Sequence, residues 1–246
     1  MGNSELWKNC IGPISKLIEE AAFTFTPEGV RMKAMDPSRV ALVNFELSAD
    51  GFDSYDIEGK RILGMNLEEM SKFFSRAKKS DELIFSFQEG ENRLVLTFKG
   101  TSIRKFTLPL IEIEEKELPE PELEFTASAK VLAGMIKDGL KDASLVTDKV
   151  RFELLNEYFL MTTESDTGSA EMKLPVGSEG LQELKVDEAA RAMYNIGYLD
   201  DIINVASSND TIEIHLGTDL PLQLDFSLAG GKGRLRFLLA PRIEAE

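Results

Sequence analysis

The chain has 246 residues, of which 43% are hydrophobic and 29% charged; this is enough to build a core and excludes wholesale disorder. Its 28 basic residues against 43 acidic ones leave a net charge of −15 at neutral pH, which argues against a nucleic-acid partner if the charge is spread evenly, because phosphates repel carboxylates. A single Cys and a single His exclude a disulfide framework, a Cys-based zinc ribbon and a His-rich metal site, so we expect no metal or cofactor.

The first half of the chain opens with the pattern of a helix followed by strands. Apolar residues at three- and four-residue steps predict a helix in which Pro13 should cause a kink or a late start, because an interior proline removes a hydrogen bond and costs roughly 3 kcal/mol. Alternating apolar residues over 23–47, with a turn at residues 27–29, then predict antiparallel strands. The predicted helix stripe comprises Leu6, Cys10, Ile14, Leu17, Ile18 and Ala21.

The second half begins in the same way. Leu132, Ile136 and Leu140 predict a helix, and alternation over 150–176, with a turn at residues 155–157, predicts strands. A last helix is predicted over residues 198–208.

An internal repeat links the two halves. Residues 65–87 overlay residues 194–216 without a gap, at an offset of 129 (194 − 65), and both copies switch from a helical to an alternating period at the same place. This paired switch indicates two copies of one domain. We therefore predict an α+β fold of two tandem copies, each with two helices packed on antiparallel β-sheet. The identical residues in this register are Asn66 with Asn195, Ala77 with Ala206, and Asp81 with Asp210.

An acidic segment separates the two copies. Residues 109–125 carry seven glutamates together with Pro119 and Pro121, and the residue before a proline is disfavoured in a helix, so the segment should be extended. Its composition is that of a solvated linker, yet its several Leu and Ile residues are too many for an idle spacer. We predict a first domain over 1–108, a connector over 109–125 and a second domain over 126–246.

Six segments in order along the chain carry a family resemblance: MDPSRVALV (35–43), GFDSYDI (51–57), GMNLEEMSK (64–72), the acidic connector, DLPLQL (219–224) and LLAPRIE (238–244). Together they resemble the archaeal and eukaryotic DNA sliding clamp, the proliferating cell nuclear antigen (PCNA) family. In that family two similar domains per chain and three chains per ring place helices around a central hole. The ring encircles duplex DNA without reading its sequence and acts as a processivity factor.

The resemblance also implies partners and a location. A clamp loader places such rings on DNA, and DNA polymerase, ligase and flap nuclease bind them through short PCNA-interacting peptides. The chain is expected to self-associate as a trimer of identical chains, although a ring of related chains fits the sequence equally well.

No apolar run approaches the roughly 18 residues typical of a membrane span, and no basic N-terminal segment leads into one. We therefore expect a cytoplasmic protein, associated with the nucleoid if archaeal.

The resemblance resolves the conflict between the acidic charge and a DNA partner. If the polar faces of the helices line a hole, their cations meet phosphates while the acidic connector and tail face away. Such contacts hold a duplex loosely and carry no sequence information. The last helix carries Asp200 and Asp201 and no cation, so the lining should be uneven. The candidate DNA-facing residues are Lys8, Lys72, Arg76, Lys137 and Lys141.

A partner-binding pocket is the second implied site. By resemblance, a partner inserts a helical turn with one aliphatic and two aromatic residues beneath the connector, while its flanking chain pairs with the connector and the C-terminal tail. An adaptable Met and extended backbone suit aromatic anchors and β-augmentation. Val40 and Leu42 could equally be ordinary strand core. The candidate pocket residues are Met35, Arg39, Val40, Leu42, Leu118, Pro119, Pro221, Leu238, Ala240, Pro241 and Ile243.

Ring closure implies two complementary edges. By resemblance, the strand over residues 101–108 pairs with the strand over 169–175 of the next chain, and head-to-tail pairing of unlike edges can close a ring. Arg104 or Lys105 opposite Glu171 is the charge pair expected across this interface. Members of the family usually begin with a short β-strand, whereas only residues 1–4 precede the first predicted helix here.

Two other classes of function compete with a clamp. Paired acids such as Glu19 with Glu20 could perform acid–base chemistry, but the sequence has no second His or Cys for a nucleophile–base pair and no phosphate-cradling glycine loop. We therefore predict that the chain is not an enzyme. The alternative is an acidic protein-interaction scaffold that does not encircle DNA, which the net charge favours.

Overall fold

The computed structural model describes residues 3–87, 90–113, 118 and 121–242, and groups the chain into two compact units. Unit 1 comprises Met1–Pro37, Val43–Leu118 and Ser227–Leu235, and unit 2 comprises Ser38–Leu42, Pro119–Phe226 and Arg236–Glu246. Each unit takes a short piece of chain from the other half of the sequence.

The first half of the chain contains two helices and seven strands among the described residues. β5, β6 and β7 form a three-stranded antiparallel sheet in that order, and β3, β2, β1 and β4 are hydrogen-bonded neighbours in that order. The elements are α1 (Asn3–Leu17), β1 (Glu20–Thr26), β2 (Gly29–Met35), β3 (Ala41–Ser48), β4 (Arg61–Asn66), α2 (Leu67–Ser75), β5 (Glu82–Phe87), β6 (Arg93–Lys99) and β7 (Ile103–Pro109), with a 3₁₀ turn at Ala49–Gly51.

The second half repeats this order with two more strands. The order β11, β10, β9, β13 makes a four-stranded antiparallel sheet, and β12, β8, β14, β15 and β16 are neighbours in that order. The elements are β8 (Ala127–Leu132), α3 (Ala133–Ser144), β9 (Lys149–Leu155), β10 (Tyr158–Ser165), β11 (Gly168–Pro175), β12 (Leu181–Val186), β13 (Ala190–Asn195), α4 (Ile196–Ile203), β14 (Thr211–Leu216), β15 (Leu222–Leu228) and β16 (Gly233–Leu239), with a 3₁₀ turn at Ala229–Gly231.

The predicted α+β repeat is confirmed, and two of its three identical pairs, Asn66 with Asn195 and Asp81 with Asp210, make equivalent hydrogen bonds in both copies. Asn66 and Asn195 cap α2 and α4: their side-chain oxygens accept hydrogen bonds from the backbone N–H of Glu69 (2.9 Å) and Tyr198 (3.2 Å). An N-cap of this kind satisfies one of the orphan donors at a helix start. The repeat could therefore be recognised in the sequence, because its identical residues make short-range hydrogen bonds such as these N-caps.

A second matched pair closes the loop after each of these helices. The Asp81 carboxylate accepts from Lys78 N–H at 2.8 Å, and the Asp210 carboxylate accepts from Ser207 N–H at 2.7 Å. Among the described residues, the first half has no counterpart of β8 or β12. Its β5 consequently pairs with β6 alone there, whereas β14 pairs with both β8 and β15.

Helix α1 excludes one of the two outcomes expected at Pro13 and departs from the predicted apolar stripe. It begins at Asn3 and continues through Pro13 to Leu17, so a late start is not seen; the Ser4 hydroxyl ties its first turn to the carbonyls of Lys78 (3.2 Å) and Asp81 (2.9 Å). Its buried face also differs, because Ala21 belongs to β1 while Leu6 stays partly exposed. The residues of α1 that are buried on that face include Trp7, Cys10, Ile11, Ile14 and Leu17.

Trp7 is the centre of the unit 1 core. Its ring lies 4.6 Å from that of Phe85 and 5.4 Å from that of Phe45, with Phe23 and Phe74 also in contact range. Aromatic side chains bury large areas and favour such tilted contacts. Most apolar residues of the predicted alternating strands are buried, for example Phe23 and Phe152, but Val176 is 60% exposed because β11 ends at Pro175.

The last helix is shorter and earlier than predicted. It spans Ile196–Ile203 because Asn195 caps its start, and the Asn204 side chain donates to the Asp200 carbonyl at its end (2.7 Å). In the part of the chain that the structure describes, no helix is long and apolar enough to cross a membrane.

Candidate functional site

Two of the candidate DNA-facing lysines occupy equivalent positions in the repeat. Lys8 on α1 and Lys137 on α3 are separated by the same offset, 137 − 8 = 129. Lys8 is exposed, whereas Lys137 is half-buried and donates to the Ala206 carbonyl at 2.7 Å. Lys137 therefore ties α3 to the end of α4 in addition to presenting a charge.

Lys72 on α2 is paired with its own helix. Its ammonium lies 2.7 Å from the Glu69 carboxylate and 3.3 Å from that of Glu68. The hydrogen bonds to Glu69 and then Glu68 raise the pKa of Lys72 above its ordinary value. Its charge is thus partly compensated by acids of the same helix. Arg76, one turn further on, is exposed and ends the helix.

Helix α3 repeats this internal pairing. The Lys141 ammonium lies 3.2 Å from the Asp138 carboxylate, and both side chains are largely exposed. Helix α4 carries Asp200 and Asp201 and no basic residue. The helix surfaces of unit 2 therefore present a weaker positive charge than their lysines alone would indicate.

The candidate pocket residues divide between the two units. In unit 1, Met35 ends β2 and is 36% exposed, and Leu118 is half-buried. In unit 2, Arg39 is exposed and has a left-handed backbone conformation (φ 58°), which is uncommon for a non-glycine residue. Leu42 is buried, as the core interpretation allows.

The C-terminal segment is hydrogen-bonded to the loop that carries Arg39 and Val40. Ala240 N–H donates to the Val40 carbonyl at 2.8 Å, and Pro241 and Ala240 are half-exposed just after the buried Leu238. Pro119 and Ile243, the two other candidates, lie outside the described residues.

Pro221 belongs to a braced loop in the same unit. The hydroxyl of Tyr194 donates to the Leu220 carbonyl at 2.9 Å, and Asp219 has φ 56°. Burial, with Asp219 nearby, raises the pKa of Tyr194, so its hydroxyl stays a donor at any physiological pH. Sequence reasoning did not identify Tyr194, because nothing in its local pattern separates it from an ordinary core aromatic.

The start of the connector is seated on β4. Ile111 N–H donates to the Gly64 carbonyl at 2.9 Å, and a Cβ at Gly64 would lie 2.1 Å from the Ile111 carbonyl oxygen. Only glycine therefore allows this close approach. Gly64 opens the segment 64–72 that carries the family resemblance, and that position was the available signal for it.

Both predicted interface strands lie at sheet edges. β7 ends the three-stranded sheet and β11 ends the four-stranded one. Lys105 and Glu171 are exposed on these edges. Arg104 points to the other face, where its guanidinium pairs with Asp81 and donates to the Arg76 carbonyl at 2.8 Å.

The repeated layout defines a chain built from two copies of one α+β domain with free sheet edges. Residues 1–117 match the family model described as proliferating cell nuclear antigen, N-terminal domain, and residues 120–242 match that of the C-terminal domain. A protein of Thermococcus gammatolerans named DNA polymerase sliding clamp is 43% identical over 234 residues, covering 95% of this chain and 93% of the relative.

Two solved structures are also similar. PCNA from Thermococcus kodakaraensis has a TM-score of 0.93 at 32% identity, with 97% of each chain covered. PCNA from A. fulgidus, solved with the C-terminal region of FEN-1 bound to it, has a TM-score of 0.89 at 30% identity, covering 99% of this chain and 97% of that one. The chain belongs to the proliferating cell nuclear antigen family.

Proposed function

We propose that this chain is a DNA polymerase sliding clamp: three copies form a ring that encircles duplex DNA and tethers replication and repair enzymes to it. The observation that carries the proposal is the full-length match to both domains of the clamp family, together with relatives named DNA polymerase sliding clamp. The proposed division is a domain over 1–108, a connector over 109–125 and a domain over 126–246.

The duplex is proposed to meet the helices. Lys8, Lys72, Arg76, Lys137 and Lys141 would face phosphates, in contacts that position DNA without reading its sequence. A homotrimer would carry 3 × (−15) = −45 charges. Because most of these acids would lie away from the helices, they would repel DNA from the outer surface and leave a weakly attractive inner one.

Ring closure is proposed to join β7 of one copy to β11 of the next. In an antiparallel register that sets Lys105 opposite Glu171, Ile103 stands opposite Lys173 and Thr107 opposite Ser169, so that no like charges face each other. Arg104 is already engaged with Asp81, which favours Lys105 as the charge across the interface. Ile103, 68% exposed in the single chain, would be covered.

The partners are proposed to be a clamp loader, DNA polymerase, ligase and flap nuclease. The last three would insert short peptides into a pocket formed by Met35, Arg39, Val40, Leu42, Leu118, Pro119, Pro221, Leu238, Ala240, Pro241 and Ile243. The support is the similar structure solved with the C-terminal region of FEN-1 bound. The chain itself is proposed to carry no catalysis.

Removal of the tail tests the tethering function. A chain ending at Leu239 should lose calorimetric binding of a flap-nuclease peptide and should no longer lengthen the products of a cognate polymerase on a primed template. The full chain should do both. Unchanged peptide affinity in the truncated chain would contradict the assignment of the tail, and a full chain that neither binds the peptide nor lengthens products would contradict the proposed function.

A further inference from the structure

The edge of β13 that faces away from β9 binds two segments that are distant in sequence. Arg191 accepts a hydrogen bond at its carbonyl from Asp219 N–H (3.0 Å), and its own N–H lies 3.4 Å from the Thr218 hydroxyl. Two residues on, the Met193 carbonyl accepts from Arg242 N–H at 2.7 Å. Alternate residues of an edge strand direct their backbone groups outward, so the loop over 217–221 and the tail over 240–242 are bound side by side on one element.

Both bound segments belong to the candidate pocket. The loop leads directly into Pro221, and Tyr194 of β13 braces it through the Leu220 carbonyl. The tail contains Ala240 and Pro241, and its first residue is also bound to Val40. β13 therefore sets the spacing between two parts of the pocket, although none of its residues was among the candidates.

Arg242 is anchored at two points. Beyond its backbone bond to Met193, its guanidinium lies 2.9 Å from the Asp148 carboxylate. Asp148 is itself fixed, because its carbonyl accepts from Ile196 N–H at 2.9 Å where β13 passes into α4. The tail is thus held by a backbone hydrogen bond to β13 and by the ion pair between the Arg242 side chain and Asp148, the residue that precedes β9.

We propose that Arg242 and Asp148 are positioning residues for partner binding: their ion pair, with the β13 carbonyl of Met193, holds the tail where a partner's flanking chain pairs with it. This inference rests on the proposed function of the pocket. A partner that engages the tail should bind more weakly without the pair, and a partner that fills only the apolar pocket should bind equally well. Loss of the ion pair should weaken only pairing with the tail, because the pair orders the tail in advance and so lowers the entropic cost of binding.

Calorimetry with two peptides separates these cases. The long peptide carries the aliphatic and aromatic helical turn with its flanking extended residues, and the short peptide carries the turn alone. Arg242→Ala and Asp148→Ala should each weaken the long peptide about two- to fivefold, the range of an exposed ion pair, and leave the short peptide unchanged. The double variant should cost no more than either single one.

The two substitutions change the net charge in opposite directions, which excludes a long-range charge effect as the cause. Arg234→Ala is the matched control: Arg234 is 46% exposed and lies 3.9 Å from Glu46, compared with 43% for Arg242. It should leave both peptides unchanged. Thermal melts identify any variant that loses its fold.

Two results would overturn the positioning role. Unchanged affinity for the long peptide in both single variants would do so, and so would an equal loss for both peptides. If the unmodified chain binds neither peptide, the proposed pocket itself fails, and that outcome is distinguishable because it appears before any substitution is made.

Discussion

At the scale of single residues, the neighbours of a side chain decide its role more than its type does. Arg104 was a candidate for the subunit interface because it is a cation on an edge strand. It shares a face of β7 with Phe106 and Leu108, however, and pairs with the buried Asp81 instead. The family resemblance implied the edge strand, but the choice between Arg104 and Lys105 depends on which face of that strand packs against the core.

Cys10 provides a prediction at this scale. It is fully buried, and desolvation raises the pKa of its thiol from 9.0 to about 12. The folded chain should therefore resist a thiol-specific disulfide reagent at pH 8, because the reactive thiolate is absent, and should react with one equivalent in denaturant. Rapid labelling of the folded chain would contradict this burial.

The raised pKa of the Cys10 thiol also makes the free energy of unfolding depend on pH. The unfolded thiol loses its proton near pH 9, whereas the folded thiol keeps it until about pH 12. Its contribution to the free energy of unfolding is therefore fully present below pH 9 and falls as the pH rises from 9 to 12.

At the scale of elements, α2 shows why counting cations overstates the positive charge of the proposed DNA-facing surface. Lys72 lies against Glu68 and Glu69 on its own helix. Replacing both acids by glutamine should free the ammonium and remove two repulsive charges, so affinity for a short duplex should rise about threefold to tenfold and the salt dependence should steepen by about one contact. Fluorescence anisotropy between low and moderate salt measures both quantities.

The control for this experiment removes the same charge elsewhere. Asp187 and Glu188 are exposed in the turn after β12, and Asp187→Asn with Glu188→Gln changes the net charge equally. This pair should raise affinity much less. Equal gains from both double variants would mean that total charge, and not the α2 surface, governs DNA binding.

Gly64 on β4 provides a second prediction for elements. A Cβ there would meet the Ile111 carbonyl oxygen at 2.1 Å and Ile113 at 3.0 Å, so Gly64→Ala should displace the start of the connector and destabilise the chain by about 1–3 kcal/mol. Gly168→Ala, at the exposed start of β11, should be neutral or stabilising, because no residue other than its chain neighbours comes within 4 Å of the new Cβ. Thermal unfolding compares the two, and an unchanged midpoint for Gly64→Ala would contradict the seating of the connector.

The elements themselves were largely predictable, and the reasons are local. Caps such as Asn66 and Asn195 and the alternating strand residues act within a few positions of the chain, so their pattern is legible in the sequence. The role of β13 could not be predicted from the sequence, because it depends on hydrogen bonds from residues 191 and 193 to segments that lie about 27 and 49 positions further on.

At the scale of the whole molecule, the proposed ring predicts a definite mass. Light scattering across a dilution series should give about three times 27.4 kDa for the chain alone. Lys105→Glu should lower that mass towards one chain at equal concentration, because it sets two carboxylates together across the proposed interface, and Glu171→Lys in addition should restore it. Lys99→Glu, on the inner strand β6, is the control and should stay trimeric.

Topological trapping on DNA tests the central claim, encirclement of duplex DNA by this acidic chain, most directly. The chain is mixed with linear plasmid, the ends are ligated, and the product is separated from free protein at high salt. The account predicts that protein stays with the circle, leaves it after a single restriction cut, and is never retained when Lys105→Glu is used. Protein that leaves circular and linear DNA equally would contradict encirclement and favour a scaffold that acts on proteins alone.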